Sequence, residues 1–230
     1  GAARSASTAP PSPPPGCGCT DNSDCNGSLC IDTPDGRTCA IGCVENCPSG
    51  YQCKPVTASG GDIANICVPR YGRLCDPCTT SGACASVGLT DSHCVDLGGQ
   101  GAFCGSPCKD ASGCPAGYSC LSAKSVEGAT VSQCVRDADA SGQVVCPCSK
   151  DAIAKTLSTT CTVALTGPGG SPLACSGKRT CNAATVSLCS APSPTAELCN
   201  GQDDDCDGLT DDDTCNDGSD CTTDSCAAAK

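Results

Sequence analysis

The chain has 230 residues, of which 29 are cysteine and 2% are aromatic, and its net charge is −12. So few large apolar side chains exclude a single large hydrophobic core, and cross-links must hold several small units together. One histidine in the chain excludes Cys₂His₂ zinc fingers, His-rich zinc hydrolase sites and C-x-x-C-H haem attachment. We therefore predict a small disulfide-rich fold of tandem, irregular β-hairpin and loop modules with little regular secondary structure.

The cysteine content also predicts the compartment, because so many reduced thiols are mutually reactive where oxidants are present. We expect a secreted or extracellular cell-surface protein. No apolar stretch reaches the roughly 18 residues that a bilayer requires, so we expect no membrane-spanning segment. The chain begins at Gly1 without a charged and apolar leader, which predicts a mature form. Nucleic acid is not an expected partner, since clustered bases and stacking aromatic side chains are missing.

The chain opens with a segment, residues 1–16, that contains five prolines and no cysteine. Its composition predicts an extended, polyproline-like linker without a core.

Two cysteine-rich repeats follow, at residues 17–74 and 75–137. Cys47, Cys53 and Cys67 correspond in order to Cys114, Cys120 and Cys134, and both repeats share a Gly-Tyr-x-Cys sequence. Spacing alone also aligns the first cysteines, Cys17 with Cys75. We predict disulfides that include these cysteines: Cys47, Cys53, Cys67, Cys114, Cys120, Cys134, Cys199 and Cys206.

Each repeat contains nine cysteines, so at least one in each cannot pair within its own repeat. Two alternatives follow: the odd cysteine of one repeat joins the next repeat, or it remains a free or mispaired thiol. The pairing itself does not follow from the sequence, since six cysteines already allow about 15 connectivities.

A divergent cysteine-rich unit is predicted at residues 138–198. Ser149 can cap a short helix in which Asp151 occupies the first turn, with Ile153 and Leu157 one turn apart. Short strands are predicted at residues 162–165 and 185–188.

The last predicted module, residues 199–230, is acidic. Residues 191–230 hold 11 of the 25 acids and one of the 13 bases. Asp203, Asp205 and Asp207 precede Gly208 with the D-x-D-x-D-G spacing of calcium loops, in which alternate side chains converge on one ion. Leu209 and Asp211 take the seventh and ninth places of such a loop. An EF-hand is rejected, because its twelfth place holds Thr214 and no helices flank it.

Residues 199–212 resemble the metal-binding motif of the MopE family, which occurs in secreted and surface proteins of bacteria. The pattern is Cys-Asn-Gly-x-Asp-Asp-Asp-Cys-Asp-Gly-x-x-Asp-Asp, and the resemblance extends over about residues 175–226. It implies metal binding by a bacterial surface protein. The oxygen ligands favour calcium over copper, because copper takes soft thiolate, thioether or imidazole ligands and the chain has no methionine.

These features predict a non-enzymatic structural or adhesive protein of the bacterial surface with a calcium-stabilised C-terminal module. Its expected partners are other copies of itself, surface proteins or glycans, and assembly into a fibre or surface layer would extend that role. Two alternatives remain: a secreted protein that handles copper or another metal ion, and a secreted inhibitor or ligand module. An enzyme is not expected, because no nucleophile, base and orienting group can be named together.

Overall fold

A computed structural model describes residues 16–57, 63–166, 172–198 and 200–210. These residues form five small antiparallel sheets and a single short α-helix. The predicted disulfide-rich fold of small hairpins without a large core is confirmed. No helix in the described part of the chain is long and apolar enough to cross a bilayer.

The first repeat consists of a two-stranded hairpin followed by a three-stranded sheet. Its strands are β1 (Cys30–Thr33), β2 (Gly36–Cys39), β3 (Ile41–Gly42), β4 (Tyr51–Thr57) and β5 (Ile63–Pro69). β1 pairs with β2, and β5 lies between β3 and β4. A 3₁₀ turn at Asn22–Cys25 precedes the hairpin.

The second repeat has the same order of elements. Its strands are β6 (Cys94–Asp96), β7 (Ala102–Cys104), β8 (Ser106–Pro107), β9 (Tyr118–Lys124) and β10 (Thr130–Arg136). β6 pairs with β7, and β10 lies between β8 and β9. Its 3₁₀ turns are Ser81–Cys84, Gly98–Gln100 and Ala111–Gly113.

The third unit contains α1 (Lys150–Ala154) and a hairpin of β11 (Ser158–Thr166) and β12 (Pro172–Thr180). The predicted cap is confirmed, because the Ser149 side chain accepts a hydrogen bond from the Ala152 N–H at 3.0 Å. The predicted strand at residues 162–165 lies inside β11. The strand predicted at residues 185–188 is wrong: only Thr185 forms a bridge, and its partner Pro147 has no N–H with which to extend the ladder.

Disulfides connect both repeats in the same pattern. Cys47 bonds to Cys67 as Cys114 bonds to Cys134. The other equivalent bonds are Cys19–Cys30 with Cys78–Cys94, Cys25–Cys39 with Cys84–Cys104, and Cys43–Cys53 with Cys108–Cys120. The third unit is closed by Cys148–Cys181 and Cys161–Cys189. Each small sheet is thus cross-linked to a neighbouring segment of the chain.

One disulfide crosses from the second repeat to the third unit, Cys75–Cys146. The odd cysteine of the second repeat is therefore bonded to the next unit, which is the first of the two alternatives that the cysteine count left open. Cys17 is the free cysteine of the described residues.

The alignment of Cys17 with Cys75 is wrong by one residue. The Cys39 N–H donates to the Cys17 carbonyl, and the equivalent Cys104 N–H donates to the carbonyl of Asp76. Gly16 and Cys75 share a left-handed conformation, with φ of 89° and 72°. Spacing could not show this shift, because the second repeat has one more residue between its first two cysteines.

Two small apolar clusters lie where the units meet. Ile31, Ile66 and Val68 of the first repeat pack with Leu89 of the second. The other cluster combines residues of the second repeat and the third unit: Cys75, Phe103, Val144, Cys146, Ala152, Cys181 and Val186. Both clusters contain buried side chains from two neighbouring units, so the units stabilise one another by packing.

Candidate metal centre

The acidic loop at residues 203–209 is curled by hydrogen bonds from its own backbone. The Gly208 N–H donates to Asp203 Oδ2 at 3.1 Å, the Asp207 N–H to Asp205 Oδ1 at 3.1 Å, and the Leu209 N–H to Asp207 Oδ1 at 2.8 Å. Gly208 has a φ of 98°, a conformation that glycine adopts without steric cost. The D-x-D-x-D-G sequence therefore forms the sharp turn that its spacing predicts.

Two contacts fix this loop against the third unit. Cys206 forms a disulfide with Cys175 of β12. The Glu197 carboxylate accepts the backbone N–H groups of Asp204 at 2.7 Å and Asp205 at 3.0 Å. The loop is thus held both by a covalent bond and by a buried carboxylate from the preceding segment.

Three carboxylates converge at the centre of the loop: those of Glu197, Asp203 and Asp205. One oxygen from each lies within 4.8 Å of the others. Glu197 is 3% exposed and Asp205 is 5% exposed. Asp203 Oδ1 is buried and has no hydrogen-bond partner. A buried, unpartnered carboxylate oxygen beside two further carboxylates is a position that a cation would neutralise.

The electrostatics of the cluster agree with this geometry. Burial, followed by the nearby charges of Asp207, Glu197 and Asp203, raises the pKa of Asp205 above its ordinary value. Asp204 of the loop has other partners: Asp204 Oδ2 accepts from the Asn200 side chain at 2.8 Å and from the Leu198 N–H at 3.2 Å.

The structure brings together two of the five predicted ligands, Asp203 and Asp205. Asp207 and Leu209 are exposed, and no cluster within the described residues includes them. Asp211 lies outside the described residues. Sequence reasoning did not assign Glu197 as a ligand. Its burial against the loop is a tertiary feature that no local spacing signals.

The donor set selects the class of cation. All three groups are carboxylates, which suit hard ions such as calcium or magnesium, whereas copper prefers sulfur or imidazole. Four groups of three cysteines also lie close together, but every sulfur in them belongs to a disulfide. A disulfide sulfur is no thiolate ligand. In the described part of the chain, the carboxylate cluster is therefore the group with the chemistry of a cation site.

The predicted disulfide cysteines are found in five of the twelve described bonds. Their partners are Cys67 for Cys47, Cys134 for Cys114, Cys43 for Cys53, Cys108 for Cys120 and Cys175 for Cys206. Cys199 lies outside the described residues.

One serine and histidine pair also meets in the second repeat. His93 Nδ1 lies 3.3 Å from Ser81 Oγ. The Ser81 hydroxyl, however, donates to the Glu127 carboxylate at 2.7 Å and accepts the Cys94 N–H at 3.1 Å. Its proton is directed to the carboxylate and away from the imidazole, so this arrangement lacks the order of a catalytic triad.

No family model, no curated protein and no solved structure matches this chain.

Proposed function

We propose that this is a non-enzymatic, extracytoplasmic structural or adhesive protein of the bacterial surface, in which the C-terminal acidic loop binds calcium. The convergence of Glu197, Asp203 and Asp205 on one buried point supports the calcium site most directly. The resemblance of residues 175–226 to the MopE family agrees with it, as does the disulfide content with a non-reducing compartment.

In the proposed mechanism, disulfides and a bound ion hold the protein in a fixed shape. Disulfides make each small unit rigid, and Cys75–Cys146 and Cys175–Cys206 extend the cross-linking into the third unit and the acidic loop. A divalent ion would neutralise the mutual repulsion of the three carboxylates, since like charges at short distance in a partly desolvated site repel strongly. Calcium would therefore hold the C-terminal end of a cross-linked scaffold in one conformation.

Calorimetric titration of the chelator-treated full chain with calcium chloride tests the site. We expect one ion per chain at the cluster, and at least a tenfold loss of affinity in Glu197→Gln, which corresponds to about 1.4 kcal/mol. The glutamine carbonyl can still accept the N–H groups of Asp204 and Asp205, so the fold is retained. Glu45→Gln removes an exposed carboxylate outside the loop and serves as the control.

A second readout separates binding from misfolding. At one calcium concentration, the melting temperature should rise more in the unmodified chain and in Glu45→Gln than in Glu197→Gln, because an ion that binds only the folded state stabilises it in proportion to its affinity. An absence of binding heat at millimolar calcium would contradict the proposed site. Tight binding of copper without calcium would instead favour a metal-handling protein.

The structural role is tested by assembly. Light scattering and negative-stain electron microscopy of the full chain, with calcium and with chelator, should show larger ordered species when calcium is present. A protein that stays monomeric in both conditions and binds no surface protein or glycan would contradict the structural and adhesive role.

A further inference from the structure

A polar pocket of about 270 Å³ lies between the two repeats. The first repeat contributes Lys54 and Arg70 to its walls, and the second contributes residues 88–91. A Cβ added to Gly88 would lie 3.3 Å from Lys54 Cβ, so this loop of the second repeat packs directly against β4. The pocket is therefore formed by the junction of the repeats, and neither repeat forms it alone.

Two basic side chains line the pocket without an acidic partner. Lys54 lies in β4, and Arg70 directly follows β5, where its N–H donates to the Gly50 carbonyl at 2.8 Å. None of the ion pairs among the described residues includes Lys54 or Arg70. Because two cations in one pocket repel each other, an anion that binds between them would relieve that repulsion.

One acid, Asp91, lies in the same pocket. Its Oδ1 accepts a hydrogen bond from the Thr90 hydroxyl at 3.4 Å. The two positive charges of Lys54 and Arg70 and the negative charge of Asp91 leave a net charge of +1, which a ligand with one negative charge balances. An ionised carboxylate accepts hydrogen bonds but donates none. Asp91 therefore favours a ligand that carries hydroxyl donors as well as its single charge.

Uncharged groups complete the walls of the pocket. Gln52 lies two residues before Lys54 in β4 and on the same face, and its amide both donates and accepts hydrogen bonds. Leu89 and Pro107 add apolar surface. A sugar acid combines a carboxylate, several hydroxyl groups and the apolar face of a ring. Its carboxylate matches the planar guanidinium of Arg70, which binds carboxylates through two parallel hydrogen bonds.

Hydrogen bonds hold the walls of the pocket in place. The Tyr71 hydroxyl donates to the Gly113 carbonyl at 2.7 Å, and this bond joins the two repeats. The Gln133 side chain donates to the Asp91 carbonyl at 3.0 Å. Because these contacts exist without a ligand, binding would require little ordering of the protein. The volume of the pocket is just below the roughly 300 Å³ at which clefts for larger small molecules begin, so it suits a single sugar ring.

We propose that this pocket binds a uronic acid unit, the carboxylate-bearing sugar of acidic polysaccharides. Lys54 and Arg70 bind the carboxylate of the sugar, and Asp91 and Gln52 form hydrogen bonds with its hydroxyl groups. The site stands on the geometry and charge of these residues, whereas its biological use rests on the proposed adhesive role at the bacterial surface.

NMR titration of the isotope-labelled full chain with sodium glucuronate, in the presence of chelator, tests the site. We expect the amide signals of Gln52, Leu89 and Asp91 to shift as glucuronate is added. Arg70→Gln should bind glucuronate about tenfold more weakly, because charge-assisted hydrogen bonds are lost. Its other amide signals should match those of the unmodified chain, which separates lost binding from misfolding. Lys109→Gln is the matched control, since Lys109 is an exposed base of the second repeat outside the pocket.

Glucose and sulfate test the two parts of the ligand separately. Glucose has the ring and hydroxyl groups of glucuronate without the carboxylate, and sulfate has negative charge without hydroxyl donors. Both should bind about tenfold more weakly than glucuronate. Sulfate that binds as tightly as glucuronate would overturn the proposal, because the pocket would then hold an adventitious ion only. Equal binding of glucose would also overturn it, as would the absence of shifts at about 10 mM glucuronate.

Crossed variants distinguish this site from the acidic loop. Arg70→Gln should bind calcium as the unmodified chain does, and Glu197→Gln should bind glucuronate with unchanged affinity. A chain that binds calcium but no glucuronate would contradict the sugar site alone. A chain that binds glucuronate but no calcium would support the sugar site and contradict the calcium site.

Discussion

Cys75 and Cys146 are 71 positions apart in the sequence, and their disulfide connects the start of the second repeat to the start of the third unit. Both sulfurs lie in the apolar cluster that also contains Phe103 and Val186. The bond therefore closes the longest loop among the described disulfides and passes through the packing between two units.

Removal of this bond should destabilise the protein more than removal of a short-range disulfide. In the chain-entropy description, closure of a 71-residue loop contributes about 4 kcal/mol, and closure of the 11-residue loop of Cys19–Cys30 about 3 kcal/mol. Cys75→Ser with Cys146→Ser should thus lower the denaturation midpoint further than Cys19→Ser with Cys30→Ser. Guanidinium unfolding under non-reducing conditions measures both, and equal losses would contradict the prediction.

The Glu127 carboxylate should make the stability of the second repeat pH-dependent. It accepts the Ser81 N–H at 2.6 Å and the Ser81 hydroxyl at 2.7 Å, and these hydrogen bonds lower the pKa of Glu127 to about 2. Since the pKa is lower in the folded state, this stabilisation is present above the unfolded pKa near 4.5 and is lost as the pH falls toward 2.

We therefore expect Glu127→Gln to flatten the dependence of the melting temperature on pH between about 5 and 2. Glu45→Gln, an exposed carboxylate in the first repeat, should leave that dependence unchanged. Calorimetric melting at several pH values measures the effect, and parallel curves for both variants would show that the Ser81 contact does not stabilise the fold.

Arg179 should be one of the least replaceable side chains of the third unit. It is 2% exposed and donates to the carbonyls of Ser187 at 2.9 Å, Gln100 at 3.1 Å and Val144 at 2.7 Å. Its guanidinium lies 5.6 Å from the centre of the Phe103 ring, and burial lowers the pKa of Arg179.

Arg179→Met should lower the free energy of unfolding by about 3 kcal/mol, because it leaves buried carbonyl groups without donors. Arg179→Lys keeps the charge but cannot reach three carbonyls in one plane, and should recover only part of the loss. Urea unfolding measures both variants. A methionine variant as stable as the unmodified chain would mean that packing alone accounts for the role of this residue.

Gly177 in β12 should not tolerate a side chain. A Cβ at this position would collide with the backbone of Ala191, in the segment that leads toward Glu197. Gly177→Ala should destabilise the third unit by about 1–3 kcal/mol through overpacking. Gly42→Ala is the matched control, since nothing lies within 4 Å of its Cβ position. Thermal melting compares them, and equal melting temperatures would show that the Ala191 segment moves aside freely.

The fold class and the sharp turn at Gly208 could be predicted from the sequence because cysteine density and turn residues are local features. Disulfide pairing was not predictable in this way. Cys30 faces Cys39 across β1 and β2, and Cys53 faces Cys67 across β4 and β5. None of these facing cysteines bonds to the other, since each sulfur pairs with a cysteine from the preceding segment.

Two further features depend on tertiary packing, so local sequence patterns could not predict them. Glu197 joins the carboxylate cluster because it accepts two backbone N–H groups of the loop, and this contact depends on the course of the chain after β12. Similarly, the place of Cys17 in the alignment of the two repeats follows from the hydrogen bond between its carbonyl and the Cys39 N–H. The spacing of the cysteines shows only their order along the chain.

The Cys75–Cys146 bond also determines how the molecule responds to mechanical tension. A pulling force that enters the chain before residue 75 and leaves it after residue 146 passes directly through the sulfur–sulfur bond. Residues 76–145 then bear no load, so the second repeat with its hairpins cannot be extended by that force while the bond remains intact. Reduction of this bond would place the second repeat in the path of the force, and the molecule would lengthen until the disulfides within the repeat bear the load.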